Sequence, residues 1–181
     1  SGQVISGYSD IFVAKYSPDG RTLLYLSFIG SPDTDTPLAI QVDSQGNAYA
    51  TALVFNDGFP TKNPLWAVRP HYSHNSVLFK LNSSGGLVYS TYLPLDVFNV
   101  GQNLAVDAAG NAYVIGQFSR TVDIDPGPGV AEETAPSGTY SFLLKLDPLG
   151  NFLWVRVLPG NSATNINALE VLDNDSLRTQ R

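Results

Sequence analysis

The sequence contains no cysteine and no methionine, only two histidines, and few charges: 14% of its 181 residues are Asp, Glu, Lys or Arg. Without cysteine there are no disulfides, no thiolate metal sites and no cysteine nucleophile, although this alone fixes no compartment. Without methionine residue 1 is not a translation start, so a targeting signal would lie outside the sequence. The ten Lys and Arg are scattered through a chain of net charge −6. That argues against a nucleic-acid partner, since phosphate binding needs clustered cations, and a negative surface also repels anionic lipid. No apolar run approaches the ~20 residues needed to cross a bilayer, so no membrane insertion is expected.

What is present points to strands. Hydrophobic residues make up 43% of the chain, enough to bury a core, and 16 Gly, 12 Pro, nine Tyr and nine Phe favour short strands joined by many turns. The expected class is all-β. Its organising stretch is Val106-Asp107-Ala108-Ala109-Gly110-Asn111-Ala112-Tyr113-Val114, a near copy of Val42-Asp43-Ser44-Gln45-Gly46-Asn47-Ala48-Tyr49-Ala50 set 64 residues earlier (106 minus 42). In both, Asp and a Gly-Asn pair sit between β-prone runs, which predicts a tight hairpin turn with glycine at positive φ.

Other segments repeat in step with it. Phe12 to Gly20, Val77 to Gly85 and Phe142 to Gly150 are related strand-and-turn segments whose Lys15, Lys80 and Lys145 are 65 residues apart (80 minus 15, 145 minus 80). A strand follows each, at Leu23 to Ile29, Leu87 to Leu93 and Phe152 to Leu158, with Tyr25, Tyr89 or Trp154 at the equivalent place. A fourth type leads into the opening motif at Leu38 to Asp43 and Asn103 to Asp107. Its third copy, Asn167 to Leu172, is worn: Leu172 and Asp175 stand where Asp and Gly belong, which predicts a distorted or terminal turn. Val4 to Tyr8 reads as a further strand.

Four strand types, each present three times, predict twelve strands and no amphipathic helix. Runs that are apolar at successive positions, such as Phe142 to Leu146, suit strands covered on both faces. The expected architecture is therefore about three β-propeller-type blades of four antiparallel strands, in units of approximately 1–45, 46–109 and 110–175. Propellers close with about 4 to 8 blades, so a longer polypeptide or a second copy would have to complete the ring.

Asp33 with Asp35, and Asp123 with Asp125, are Asp-x-Asp pairs that could offer calcium two oxygens each, although neither segment is a twelve-residue calcium loop and turn-forming, solubilising Asp is the better explanation. His71 and His74 lie beside Arg69-Pro70, in a context that favours a plain loop over a metal pair. No catalytic triad context, Gly-x-Ser-x-Gly elbow or phosphate loop occurs, and Gly127-Pro128-Gly129 lacks the Lys that would follow. The repeated lysines each need a carboxylate or carbonyl partner; Asp43 and Asp107 are candidates for the first two, and Leu172 removes that option from the third. The longest segments between strands, Asn56 to Asn75 and Ser119 to Tyr140, are where binding is expected.

With those residues assembled, the chain resembles the bacterial β-propeller repeat family (SBBP repeats). Phe12 to Gly20, Tyr89-Ser90-Thr91-Tyr92-Leu93, Val42 to Tyr49 and Phe59-Pro60-Thr61 carry the likeness, and Thr121 to Gly129 suggests a variant of it. The sequence departs from the pattern at Pro94-Leu95, where glycines are usual, and in its first and last turns. The resemblance implies repeats of secreted or surface-attached bacterial proteins and no shared catalytic residues. The expectation is a non-enzymatic scaffold, adhesion or assembly module at the cell surface, outside the cell or in the periplasm, binding a protein, a glycan or further copies of itself. The alternatives are a subunit of an extracellular polymer joined at blade edges, and a hydrolase or lyase with carboxylates in a central channel.

Overall fold

The computed structural model describes residues 7–67, 75–93, 104–125, 131–135, 137–158, 168–172 and 176–180. These residues form antiparallel strands and no helix. A first hairpin pairs β1 (Ile11–Tyr16) with β2 (Leu23–Ile29). A four-stranded meander follows in the order β3 (Asp35–Val42), β4 (Ala48–Val54), β5 (Asn75–Leu81) and β6 (Leu87–Tyr92). A second meander uses β7 (Leu104–Val106), β8 (Ala112–Phe118), β11 (Tyr140–Leu146) and β12 (Phe152–Leu158) in the same spatial order. The last hairpin joins β13 (Ala168–Val171) to β14 (Leu177–Gln180).

Two features differ from expectation. The described strands number fourteen: eleven of the twelve expected, together with β14 and with β9 (Thr121–Asp123) and β10 (Glu132–Thr134), which form a small hairpin inside a segment expected to be loop. The sheets also straddle the sequence units at 45/46 and 109/110. Each motif turn joins the first two strands of one sheet, so the sheet begins at β3 or β7, ahead of the turn that marks the repeat. The predicted strand at Val4 to Tyr8 lies mostly outside the described residues.

One turn design serves both kinds of hairpin. In the motif, the Asp43 and Asp107 backbones close onto Asn47 and Asn111 (N–H to carbonyl 3.1 and 3.0 Å), with Gly46 and Gly110 at φ 78° and 84°. Asp147 and Asn151 repeat this between β11 and β12, at 2.9 Å with Gly150 at φ 88°. The loop is thus wider than a two-residue hairpin: the Asp carboxylate spans three intervening residues by accepting the N–H of the middle one and that of the closing Asn. Even the worn copy retains the closing bond, from Leu172 N–H to the Ser176 carbonyl at 2.8 Å.

Apolar alternation then stacks the sheets. Strands β4 and β5 are buried at every position because both faces of their sheet are covered. Ile11, Val13 and Ile29 of the first hairpin pack on Ala50, Val77 and Phe79. Leu78 and Tyr49, on the opposite face of that sheet, pack on Val114, Phe142 and Leu144. Leu143 and Tyr113 in turn meet Leu169, Val171 and Leu177 of the last hairpin. The first strands adjoin in succession, β3 against β7 and β7 against β13.

Candidate functional site

The polar groups of the repeat converge where one sheet meets the next. Strand pairing sets Tyr49 opposite Lys80 and Tyr113 opposite Lys145, so each motif tyrosine shares a sheet with the lysine that follows it. The lysine ammonium groups lie over the tyrosine rings, 4.6 and 4.7 Å from their centroids. A register shift just after Lys15, Lys80 and Lys145 bulges the strand at the same place in every copy. A bulge re-aims side chains, here toward the neighbouring sheet.

Between the two four-stranded sheets the joint is complete. Lys80 Nζ donates to the Pro148 carbonyl at 2.8 Å, and the Tyr49 hydroxyl donates to the Gly110 carbonyl at 2.8 Å. Both acceptors belong to turns of the second sheet. Gly150 of that sheet lies against the Tyr89 ring so closely that a methyl there would come within 2.6 Å of it. One interface earlier the arrangement recurs: Gly85 lies on Tyr25, Ser27 donates to the Gly85 carbonyl at 2.7 Å, and Lys15 reaches the Ser83 carbonyl at 3.4 Å.

Lysine partners therefore differ from the sequence assignment. Lys15 and Lys80 bond to carbonyls, whereas Lys145, expected to have no carboxylate, pairs with Asp107 at 3.6 Å. The reason is topological: the Asp of a turn shares a sheet with the lysine after it, so Asp107 belongs to Lys145 and Asp43 to Lys80. In the last hairpin Arg178 replaces the tyrosine (178 minus 113 is 65), and it pairs with Glu170 at 4.0 Å.

Burial raises the Asp43, Asp107 and Asp147 carboxyls. Hydrogen bonds from Asn47, Asn111 and Asn151 and from the turn N–H groups outweigh it, leaving all three below the usual carboxylate value. Burial lowers the Lys80 ammonium. Burial acts the same way on Lys145, but Tyr113 and Asp107 beside it hold that group above its ordinary value. The cleft between the two motif turns has a volume of about 210 Å³ and is lined by Asp43, Gln45, Lys80, Ala109, Gly110 and Pro148. Asp43 spends both oxygens on its own turn, accepting from Gln45 N, Asn47 N and Asn47 Nδ2, and its Oδ2 lies 3.2 Å from the Tyr49 hydroxyl, whose one proton it shares with the closer Gly110 carbonyl.

The calcium candidates sit elsewhere and serve local turns. Asp123 Oδ1 accepts the Asp125 and Ala131 N–H groups, closing the β9–β10 hairpin. Asp33 Oδ1 accepts the Thr34 N–H, while buried Asp35 receives the Ser31 N–H and hydroxyl at 2.6 and 2.9 Å. Among the described residues no three of His, Asp and Glu gather as a metal-holding group. His71, His74 and Gly127 to Gly129 lie outside the described residues.

Burial raises the Asp35 carboxyl, Ser31 opposes this, and Asp10 and Asp33 reinforce it. A raised folded-state pKa gives stability that is present below the unfolded value and lost as pH rises through the folded one. The stability of the wild type relative to Asp35→Asn, from urea unfolding, should therefore fall as the pH rises above about 4, the ordinary carboxylate value. A relative stability that rises over that range would contradict the assignment.

The described parts of the two segments where binding is expected cover the core. Residues 59–66 run along β6: Lys62 and Ser90 exchange backbone hydrogen bonds, Leu65 and Trp66 N–H groups donate to Thr91 Oγ1, and Phe59 lies 6.2 Å from Phe79. This protects an edge strand that would otherwise be open. Val122, Ile124 and Ala135 of the β9–β10 region are buried between the four-stranded sheets. The joint between sheets was only half visible in the sequence. The recurring lysine, aromatic and glycine positions were apparent, but their meeting across an interface was not. No protein-family model matches the chain, and no curated protein matches it.

Proposed function

We propose that the chain is an arc of a β-propeller of the bacterial propeller-repeat type. It acts without catalysis as a scaffold or binding module, presented at the cell surface, outside the cell or in the periplasm, to a protein or glycan. The recurring joint carries this reading: successive sheets keep one strand order, gather their first strands together, and are fastened by the same lysine, aromatic and glycine. Polar groups that would otherwise be available for chemistry are used in that joint. The cleft of about 210 Å³ is also smaller than the roughly 300–1,000 Å³ usual for ligand pockets.

The hydrolase or lyase alternative calls for converging carboxylates of raised pKa. Asp43, which lines the cleft, is lowered, and Asp35, which is raised, is bonded to Ser31 in its own loop. The test pairs a turnover screen on chromogenic glycosides, esters and phosphate esters with binding to arrayed glycans. The expected result is no turnover above buffer and saturable binding to one glycan class. Turnover that disappears in Asp43→Asn would overturn the reading.

A further inference from the structure

The chain carries the two unmatched halves of its own joint. At each internal interface a glycine of one turn lies on an aromatic ring of the preceding sheet, Gly85 on Tyr25 and Gly150 on Tyr89. The third glycine of the series, Gly20, has nothing within 4 Å of where its Cβ would lie. The third aromatic, Trp154, has no glycine on it among the described residues: Tyr113 of its own sheet meets it edge-on at 6.1 Å, and the Arg156 guanidinium lies 5.9 Å from its ring. Likewise Lys15 and Lys80 reach the carbonyls of Ser83 and Pro148, and the equivalent carbonyl for Lys145 is that of Pro18 (148 minus 83 and 83 minus 18 are both 65).

We infer that a second copy of this chain docks head to tail, its Ser17 to Gly20 turn seating on Lys145, Trp154 and Arg156 of the first copy. Three further observations fit that occupant. Charges match: Asp19, exposed in the turn, comes to the exposed Arg156, because Arg156 holds the place of Ser27, which in the internal joint contacts Gly85. Apolar surface matches: Phe12, Tyr16, Leu24 and Leu26 are exposed on one face of the first hairpin. The residues equivalent to Phe12, Val77 and Phe142, are buried beneath the preceding sheet. Strand edges match as well, since among the described residues no strand pairs with the outer edge of β1 or of β14. Set side by side, β13–β14 of one copy and β1–β2 of the other follow the strand order of the internal sheets, with β14 in the second place, for which Val4 to Tyr8 of the other copy also qualifies by sequence.

This docking rests on the propeller reading, and the experiment separates the two. Sedimentation velocity of the wild-type chain across a concentration series should show a dimer of twice 19.5 kDa. Gly20→Asn, at a position of φ 71° that asparagine tolerates and with no neighbour to displace, should weaken dimerisation at least about tenfold with an unchanged circular dichroism spectrum. Because the chain has no cysteine, Asp19→Cys and Arg156→Cys chains each carry one thiol, and on mixing and oxidation should form disulfides between unlike chains. A folded monomer at every concentration, or disulfides between like chains alone, overturns the docking. If that monomer still loses more stability on Gly150→Ala than on Gly20→Ala, the internal joint and the propeller reading stand without it.

Discussion

Gly150→Ala is expected to lower the stability of the chain by about 3 kcal/mol, against about 1 kcal/mol for Gly20→Ala, measured as free energies of urea unfolding. Both glycines have positive φ, 88° and 71°, where an L side chain costs roughly 1–2 kcal/mol. Only Gly150 has a neighbour: its added methyl would meet the Tyr89 ring at 2.6 Å, whereas Gly20 faces open space. The ring cannot retreat, because Tyr89 is 1% exposed and packed between sheets in a core with few voids. Overpacking therefore adds roughly 1–3 kcal/mol to the backbone cost. Equal losses at the two glycines would show that the sheets do not meet at this contact.

Asp107→Ala is expected to be still more damaging, at about 3–5 kcal/mol by the same measurement. The carboxylate accepts from Ala109 N, Asn111 N, Asn111 Nδ2 and the Tyr113 hydroxyl at 2.7–3.0 Å, and it pairs with Lys145. Truncation unravels the turn and leaves a buried hydroxyl and an ammonium without their acceptor. Asp107→Asn keeps one oxygen for the two turn N–H groups but sets an amide NH2 against Asn111 Nδ2, the Tyr113 hydroxyl and Lys145, so it should cost less than the alanine variant but still more than about 1 kcal/mol, the scale of a lost buried hydrogen bond.

The same carboxylates set the acid limb of the stability curve. The folded-state pKa values of Asp43, Asp107 and Asp147 lie below the ordinary aspartate value of 3.8. A lowered folded value contributes stability that is fully present above the unfolded pKa and lost as pH falls through the folded one. Stability should accordingly drop on acidification below about pH 4, less steeply in Asp107→Asn than in the wild type.

Local chemistry made the strands and turns legible in the sequence. Lys15, Lys80 and Lys145 marked one strand type, and Gly20, Gly85 and Gly150 marked the turn that follows it, because spacing along the chain records a repeating unit directly. Spacing does not record which residues face each other between units. Spacing alone sets Lys145 against Leu172, whereas the structure pairs it with Asp107, because the hairpin places the carboxylate in the lysine's own sheet. The β9–β10 hairpin escaped notice because its strands are three residues each and mostly polar, held by Asp123 and by burial of Val122 rather than by any pattern. Residues 59–66 resembled a binding loop for the same reason: nothing in their composition reveals that Ser90 and Thr91 wait along the edge of β6 to bond with them.

The sheet-to-sheet joint is the central claim, and a double-mutant cycle of Gly150→Ala with Tyr89→Ala tests it most directly. With the ring removed, the new methyl enters space and retains only its backbone cost. The cost of Gly150→Ala should then fall from about 3 to about 1 kcal/mol, a coupling of about 2 kcal/mol. Additivity within about 0.5 kcal/mol would mean that glycine and ring do not touch, and would contradict the account.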